Sequence, residues 1–222
     1  GVSLVPLVDA DQNGEVLERI ISARKQFAQE IGIVVPMVMV RDNLQLKGKE
    51  YQISLRGNVV AKGTVVPDME LAMAPNESED SIDGIKTKEP AYGLDAYWIK
   101  PSQRDEANFR GYTVVNAATV VVTHLTKIIQ DNAHDLIGRQ EVQSLIDNLK
   151  DKYPKVVEEV TTTGGLSLGE IVQVLKLLLK EGVSIRDLLS IFEVLADFGK
   201  NVKNTEILTR FVRKAIGRTV VK

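Results

Sequence analysis

Ser167-Leu168-Gly169-Glu170-Ile171-Val172-Gln173-Val174-Leu175-Lys176-Leu177-Leu178-Leu179-Lys180-Glu181-Gly182 decides how the second half of this chain folds. Ser167 with Glu170 three residues on is the spacing at which each side chain satisfies the other's free backbone N–H at a helix start. Leu168, Ile171, Val172, Leu175, Leu178 and Leu179 then recur on one face, and Gly182 is a natural stop. Downstream, Ser184 and Asp187 open a second helix with Ile185, Leu188, Leu189, Phe192, Leu195 and Ala196 as its stripe. Ile207, Leu208, Phe211, Val212, Ala215 and Ile216 mark a third, ending at Gly217. Three amphipathic helices of this kind bury their stripes against one another. Upstream, Val142, Leu145, Ile146 and Leu149 mark another helix, ended near Pro154, and Thr161 to Gly165 reads as a flexible linker. No internal repeat is visible.

The first half alternates periods. Val2 to Val8 reads as a strand, followed by a polar turn, Asp9 to Gly14. Leu17, Ile20, Ile21, Phe27, Ala28 and Ile31 recur at helical spacing up to Gly32, and Val34 to Val40 returns to strand. Tyr51–Leu55 and Val59–Val65 flank Arg56-Gly57-Asn58, the pattern of a β-hairpin. From Pro67 to Gly111 apolar content drops. The acidic loop Glu77 to Gly84, a short strand at Tyr97-Trp98-Ile99 and a short helix from Gln103 to Phe109 read as an insertion unable to fold alone. Thr113-Val114-Val115 and a helix from Ala117 to about Ala133 resume the first domain. The fold class is therefore α+β: a small α/β subdomain (1–67 with 117–136), an inserted small α+β subdomain (68–116) and an all-α helical subdomain (137–216).

Composition narrows the function. Lys plus Arg number 28 against 30 Asp plus Glu, so nucleic-acid binding would need a local basic patch. The nearest is Arg210 to Lys222, which reads as the solvated face and tail of the last helix. There is no cysteine, which excludes disulfides, thiol nucleophiles and cysteine-ligated metals. No apolar run reaches the about 20 residues that span a bilayer. The chain begins at Gly1 without Met, directly before an apolar run, and reads as a piece of a longer protein.

Chemistry is sparse. His124 and His134 lie about three helical turns apart, a poor metal spacing, and read as structural or surface residues. Asp9, Asp11 and Asp42 form at most a weak carboxylate group, since Asp-x-Asp before a helix more often makes a turn and cap. No phosphate loop, dinucleotide fingerprint or nucleophile elbow is present. Gly164-Gly165 before a capped helix suits a linker better than an anion site. No catalytic residue, metal or cofactor is expected. Tyr92, Tyr97, Trp98 and Phe109 crowd into the weakly apolar insert of a chain that is only 5% aromatic. Such residues mark either an interface or a mini-core. Trp98 is expected in the insert's own core, and Tyr92, in the turn Pro90-Ala91-Tyr92-Gly93, is the better candidate for exposure.

Six segments, taken together, resemble one family. Leu4 to Asp9, Arg41 to Leu44, Lys88 to Leu94, Thr119 to Leu125, Gly138 to Glu141 and Gly182 to Asp187 resemble the soluble region of the FlhA, or FHIPEP, family of flagellar type III export-gate proteins, in order and spacing across nearly the whole chain. The resemblance implies a bacterial inner-membrane parent whose cytoplasmic part has four subdomains and forms a nine-membered ring. The first three would be present here, and the fourth would begin near Gly217, with 217–222 its start. It implies a docking platform and not an enzyme. Its partners would be flagellar export chaperones with bound substrates, the ATPase complex, a partner export-gate protein and further copies of itself, with no nucleic acid. In the family, chaperone–substrate complexes bind a hydrophobic dimple between the first two subdomains. The matching positions are Glu89, Tyr92, Thr123, Leu71 and Pro75. Glu89 stands where Asp is usual and Tyr92 where Phe is usual, so a carboxylate and an aromatic are kept.

Three other readings compete. A virulence injectisome gate protein shares the fold and ring with other cargo; the Ser184 to Asp187 run and the Pro90 to Gly93 turn lean flagellar. An enzyme lacks a nucleophile–base pair. An RNA-binding sheet lacks its aromatic-rich strand, since the runs around Val38 and Ile53 carry only Tyr51.

Overall fold

A computed structural model describes residues 1–9, 14–75 and 81–217. Asp11, the first half of the acidic 77–84 loop, Arg218 and Lys222 lie outside the described residues. The chain forms two compact units: residues 1–23 with 37–129, and residues 24–36 with 130–222.

The first unit is built on two antiparallel sheets. β1 (Glu50–Leu55) and β2 (Asn58–Thr64) form the expected hairpin. Its turn residues Arg56 and Gly57 have φ of 51° and 82°, the left-handed geometry that lets a two-residue turn follow the strand twist. β3 (Glu70–Met73), β4 (Ile85–Lys88), β5 (Asp95–Ile99) and β6 (Thr113–Asn116) make a four-stranded sheet in the order β4-β5-β3-β6. Leu71 pairs with Trp98 and Val115, so these three share one face; Ala72, Tyr97 and Val114 share the other. Both faces are covered. Leu71, Ala96 and Trp98 pack with Leu4, Tyr51, Val65, Ala117 and Val120, while Ala72 and Ile99 pack with Ile82, Ala107 and Tyr112. Trp98 therefore joins the core shared with the hairpin, not a mini-core of the insert, because its strand position turns it to that face. Phe109 joins neither and is 93% exposed.

Helices close this unit. Val2–Val8, expected as a strand, is instead one 3-10 turn followed by α1 (Val5–Val8). Pro6 explains the difference: it has no N–H for a ladder and suits the first turn of a helix. α2 spans Val16–Ile31, α3 Arg104–Phe109 and α4 Ala117–Asp131. Asn116 caps α4, its Oδ1 accepting from the Thr119 N–H at 2.9 Å and the Thr119 hydroxyl at 2.8 Å. Val16 and Ile20 of α2 pack on Ala118 and Val122 of α4. On the face carrying Ala72 and Ile99, the buried Glu70 carboxylate receives the guanidinium of Arg104 from α3 through both oxygens.

The second unit is helical, with α5 (Arg139–Lys152), α6 (Pro154–Glu158), α7 (Leu168–Lys180), α8 (Leu188–Phe198) and α9 (Thr205–Gly217). Ser167 and Glu170 cap each other reciprocally at 3.1 Å. Gly182, at φ 76°, ends α7 with its N–H on the Leu179 carbonyl and the Val183 N–H on that of Leu178. Ile171, Leu175, Leu178, Ile191, Phe192, Leu195 and Leu208 have essentially no exposed surface. Each such side chain contributes about 1.5–3 kcal/mol of apolar transfer.

One expectation fails here. Thr161–Gly165 is no flexible linker. Residues Glu159–Thr163 form a π-helical turn around fully buried Val160, and Lys203 donates to the Gly164 carbonyl at 3.1 Å. The helix marked by Val142 to Leu149 does end near Pro154, as expected: α5 stops at Lys152, and Pro154 then opens α6 at the position where a missing N–H costs nothing. A second reading also changes. Among the described residues Val34–Val40 pairs with no strand: Pro36 interrupts it, and the Val35 carbonyl accepts from the Arg24 guanidinium at 2.8 and 3.2 Å. Residues 24–36 also serve the helical unit through the Ile185 N–H on the Ile31 carbonyl at 2.9 Å and the Ser184 hydroxyl on that of Glu30.

Candidate docking site

The loop from β4 to β5 presents Tyr92, and Glu89 shapes it. One Glu89 carboxylate oxygen accepts from the Ala91 N–H at 2.8 Å and the other from the Tyr92 N–H at 2.7 Å. The backbone closes around this with the Glu89 N–H on the Leu94 carbonyl at 2.8 Å and the Gly93 N–H on that of Glu89 at 2.9 Å. Gly93 sits at φ 70°, where a side chain would be strained. Lys88 and Asp95 pair across the base of the loop, and the Lys88 hydrogen bond, then its charge, holds the Asp95 carboxyl below its usual range. Glu89 is 3% exposed, whereas Tyr92 is 59% exposed. The carboxylate is thus an internal brace and the aromatic ring is the surface.

The remaining sequence-derived residues divide. Thr123 is half-buried on α4, and four residues further along that helix Lys127 places its ammonium 5.5 Å from the centre of the Tyr92 ring. Leu71 is fully buried beside Trp98, so it supports the site from below and offers no surface. Pro75 is exposed next to Ala74, whose N–H bonds the Asp95 carbonyl at the loop's base. Leu94 and Ile85 add exposed apolar surface. An exposed aromatic ring beside a lysine suits docking of an amphipathic segment.

Three further residues belong to the loop's surroundings: Tyr51, His124, which the sequence reads as structural or surface, and Lys127. Under the loop, the Tyr51 hydroxyl and His124 Nδ1 lie 2.7 Å apart, both side chains buried. Burial pushes the Tyr51 phenol well above its usual range, aided by the Glu89 charge. Burial holds the His124 imidazole below its usual range, against the opposing pull of Glu89. The i, i+3 spacing of His124 and Lys127 was the available sequence signal. His134 instead pairs with Asp135 at 3.4 Å. Among the described residues no three His, Cys, Asp or Glu side chains gather as a metal site, and no helix is long and apolar enough to cross a membrane.

Known proteins share this chain's sequence and fold. It is 50% identical over 220 residues to the flagellar biosynthesis protein FlhA of Bacillus subtilis, covering 99% of this chain and 32% of that protein. The structure of the Chlamydia pneumoniae CdsV protein superposes with a TM-score of 0.82 at 27% identity, covering 95% of this chain and 60% of that one. The cryo-EM structure of nonameric EPEC SctV-C superposes at 0.72 with 27% identity, covering 93% and 62%. The chain thus spans about a third of the length of its curated FlhA relative. The FHIPEP family matches residues 1–222, and the chain belongs to that family.

Proposed function

We propose that this chain is the cargo-docking part of a flagellar type III export gate, on the cytoplasmic side of an inner-membrane parent. It binds export chaperones with their substrates at the Tyr92 loop, works beside the ATPase complex and a partner gate protein, and performs no catalysis. Its parent forms a nine-membered ring. The observation that carries this is Tyr92, held exposed by a buried carboxylate brace in a chain of this family. The division into a first subdomain, an insert and a helical third, with a fourth starting near 217, belongs to the same proposal.

The flagellar reading is favoured over an injectisome one by identity, 50% to a flagellar relative against 27% for SctV-C. Burying Tyr92 under a partner contributes about 1.5–3 kcal/mol, enough for a reversible contact when joined by Leu94 and Ile85. Calorimetric titration of the chain with a purified flagellar chaperone–substrate complex tests this. Tyr92→Ala should weaken binding by about 2 kcal/mol, roughly thirtyfold, with the circular dichroism spectrum unchanged. Equal binding by parent and variant removes Tyr92 from the site.

A further inference from the structure

Under the Tyr92 loop lies a group of titratable side chains that docking itself leaves unused. Tyr51 from β1 and His124 from α4 meet with rings edge-on, 5.7 Å between centres, and share the 2.7 Å hydrogen bond. Room for the phenol is made at Gly63, its cross-strand partner, where a Cβ would run into the Tyr51 ring. Glu89 is buried in the loop, near enough for its charge to raise the Tyr51 phenol further and to oppose the lowering of the His124 imidazole. One helical turn after His124, Lys127 reaches the Tyr92 ring, so the loop lies over this stretch of α4.

Two uses compete for the Glu89 carboxylate. With His124 neutral and its own proton on Nε2, Nδ1 accepts a hydrogen bond from the Tyr51 hydroxyl, and Glu89 serves the Ala91 and Tyr92 amides. With His124 protonated, both ring nitrogens donate, so Nδ1 gives its proton to the phenol oxygen and the phenol proton must turn to another acceptor. The nearby carboxylate is the natural partner for both, because charge-assisted hydrogen bonds are about twice as strong as neutral ones and a buried cation needs an anion. Among the described residues, the titratable groups shown to act on His124 are Tyr51 from β1, through the hydrogen bond, and Glu89 from the loop, through its charge; Lys127, one turn on along the same helix, lies on the Tyr92 ring.

We propose that His124, seated on Tyr51, is a positioning residue of the loop that acts through Glu89: neutral, it leaves the carboxylate on the amides of Ala91 and Tyr92; protonated, it draws the carboxylate away and loosens the presentation of Tyr92. Only the consequence for a partner rests on the docking reading. The change falls on the acid side of 6.5, since burial holds the imidazole below that value.

An NMR titration of the chain from pH 8 to 5 tests it, following the His124 ring and the Ala91 and Tyr92 amide protons. Those amides should lose the downfield shift of carboxylate bonding with the midpoint of His124, and should stay fixed in His124→Gln. Amides that stay fixed while His124 titrates, or that move equally in His124→Gln, overturn the proposal. Should His124→Gln fail to fold, Tyr51→Phe keeps the ring but removes the hydroxyl. It should raise the midpoints of His124 and both amides together, and separate midpoints overturn the coupling. Titration with the chaperone–substrate complex at pH 7.5 and 5.5 then reads the consequence, a several-fold loss of affinity in acid that His124→Gln flattens. An affinity loss of equal size in parent and variant removes His124 from docking. Absence of binding at both pH values sinks the docking reading alone and leaves the NMR arm to decide this one.

Discussion

Replacing Glu89 by alanine removes one acceptor from each of two loop amides and opens a small buried space. Hydrogen bonds to a charged group contribute about 1.5–3 kcal/mol each in net terms. Partial resolvation of the loop reduces that, so Glu89→Ala should lower stability by about 2 kcal/mol in urea unfolding. Glu89→Gln should be no milder, because its amide nitrogen turns a donor toward one of the two N–H groups. A loss below half a kcal/mol in both would show that the loop holds without its brace. Tyr92→Ala should leave the urea midpoint unmoved, since the ring is mostly solvated. His124 adds a pH dependence whose sign is fixed by burial. Its folded value lies below the ordinary 6.5, so the unfolded chain binds the proton more tightly. The stability this confers is whole above 6.5 and is lost as pH falls from there through the lower folded value. The urea midpoint should therefore drop between pH 7 and 5, and His124→Gln should remove part of that slope. An unchanged slope would assign it to other groups.

At the scale of elements, α7 tests how far local chemistry carries. Ser167→Ala removes a reciprocal cap and should cost about 1 kcal/mol. Gly182→Ala forces a left-handed backbone on a side chain and should cost about 1 kcal/mol, although a Cβ there meets nothing. Both are read by thermal or urea unfolding, and a null result for Ser167→Ala would mean that packing alone holds the helix start. Arg104→Ala on α3 is a different kind of change. It strands the buried Glu70 carboxylate, and because the guanidinium is half exposed the loss should be about 1–3 kcal/mol, below that of a fully buried pair. α7, the hairpin and their caps were legible because capping, turn chemistry and periodicity are all local. Val2–Val8 and Val34–Val40 were not. An apolar run shows that a segment is buried, not which backbone partners it finds, and in each case a proline had already removed one.

Across the whole molecule, the helical unit depends on residues far away in sequence. Phe27, Ile33 and Val35 are buried, and the Glu30 and Ile31 carbonyls take donors from Ser184 and Ile185. A fragment of residues 130–222 should therefore melt lower than the unit does within the full chain, and a peptide of residues 24–36 should raise its melting temperature. Identical melting with and without the peptide would show the segment to be dispensable. The sequence by itself determined the α+β class, the helices α7 to α9, the hairpin and the exposure of Tyr92, because each follows from period and turn residues within a dozen positions. Only the tertiary structure decided that Glu89 braces the loop from inside, that Leu71 and Trp98 fill a shared core, and that Tyr51 meets His124 beneath it. Those depend on which strand faces meet and on pairings between residues up to 73 positions apart, information that no local pattern contains.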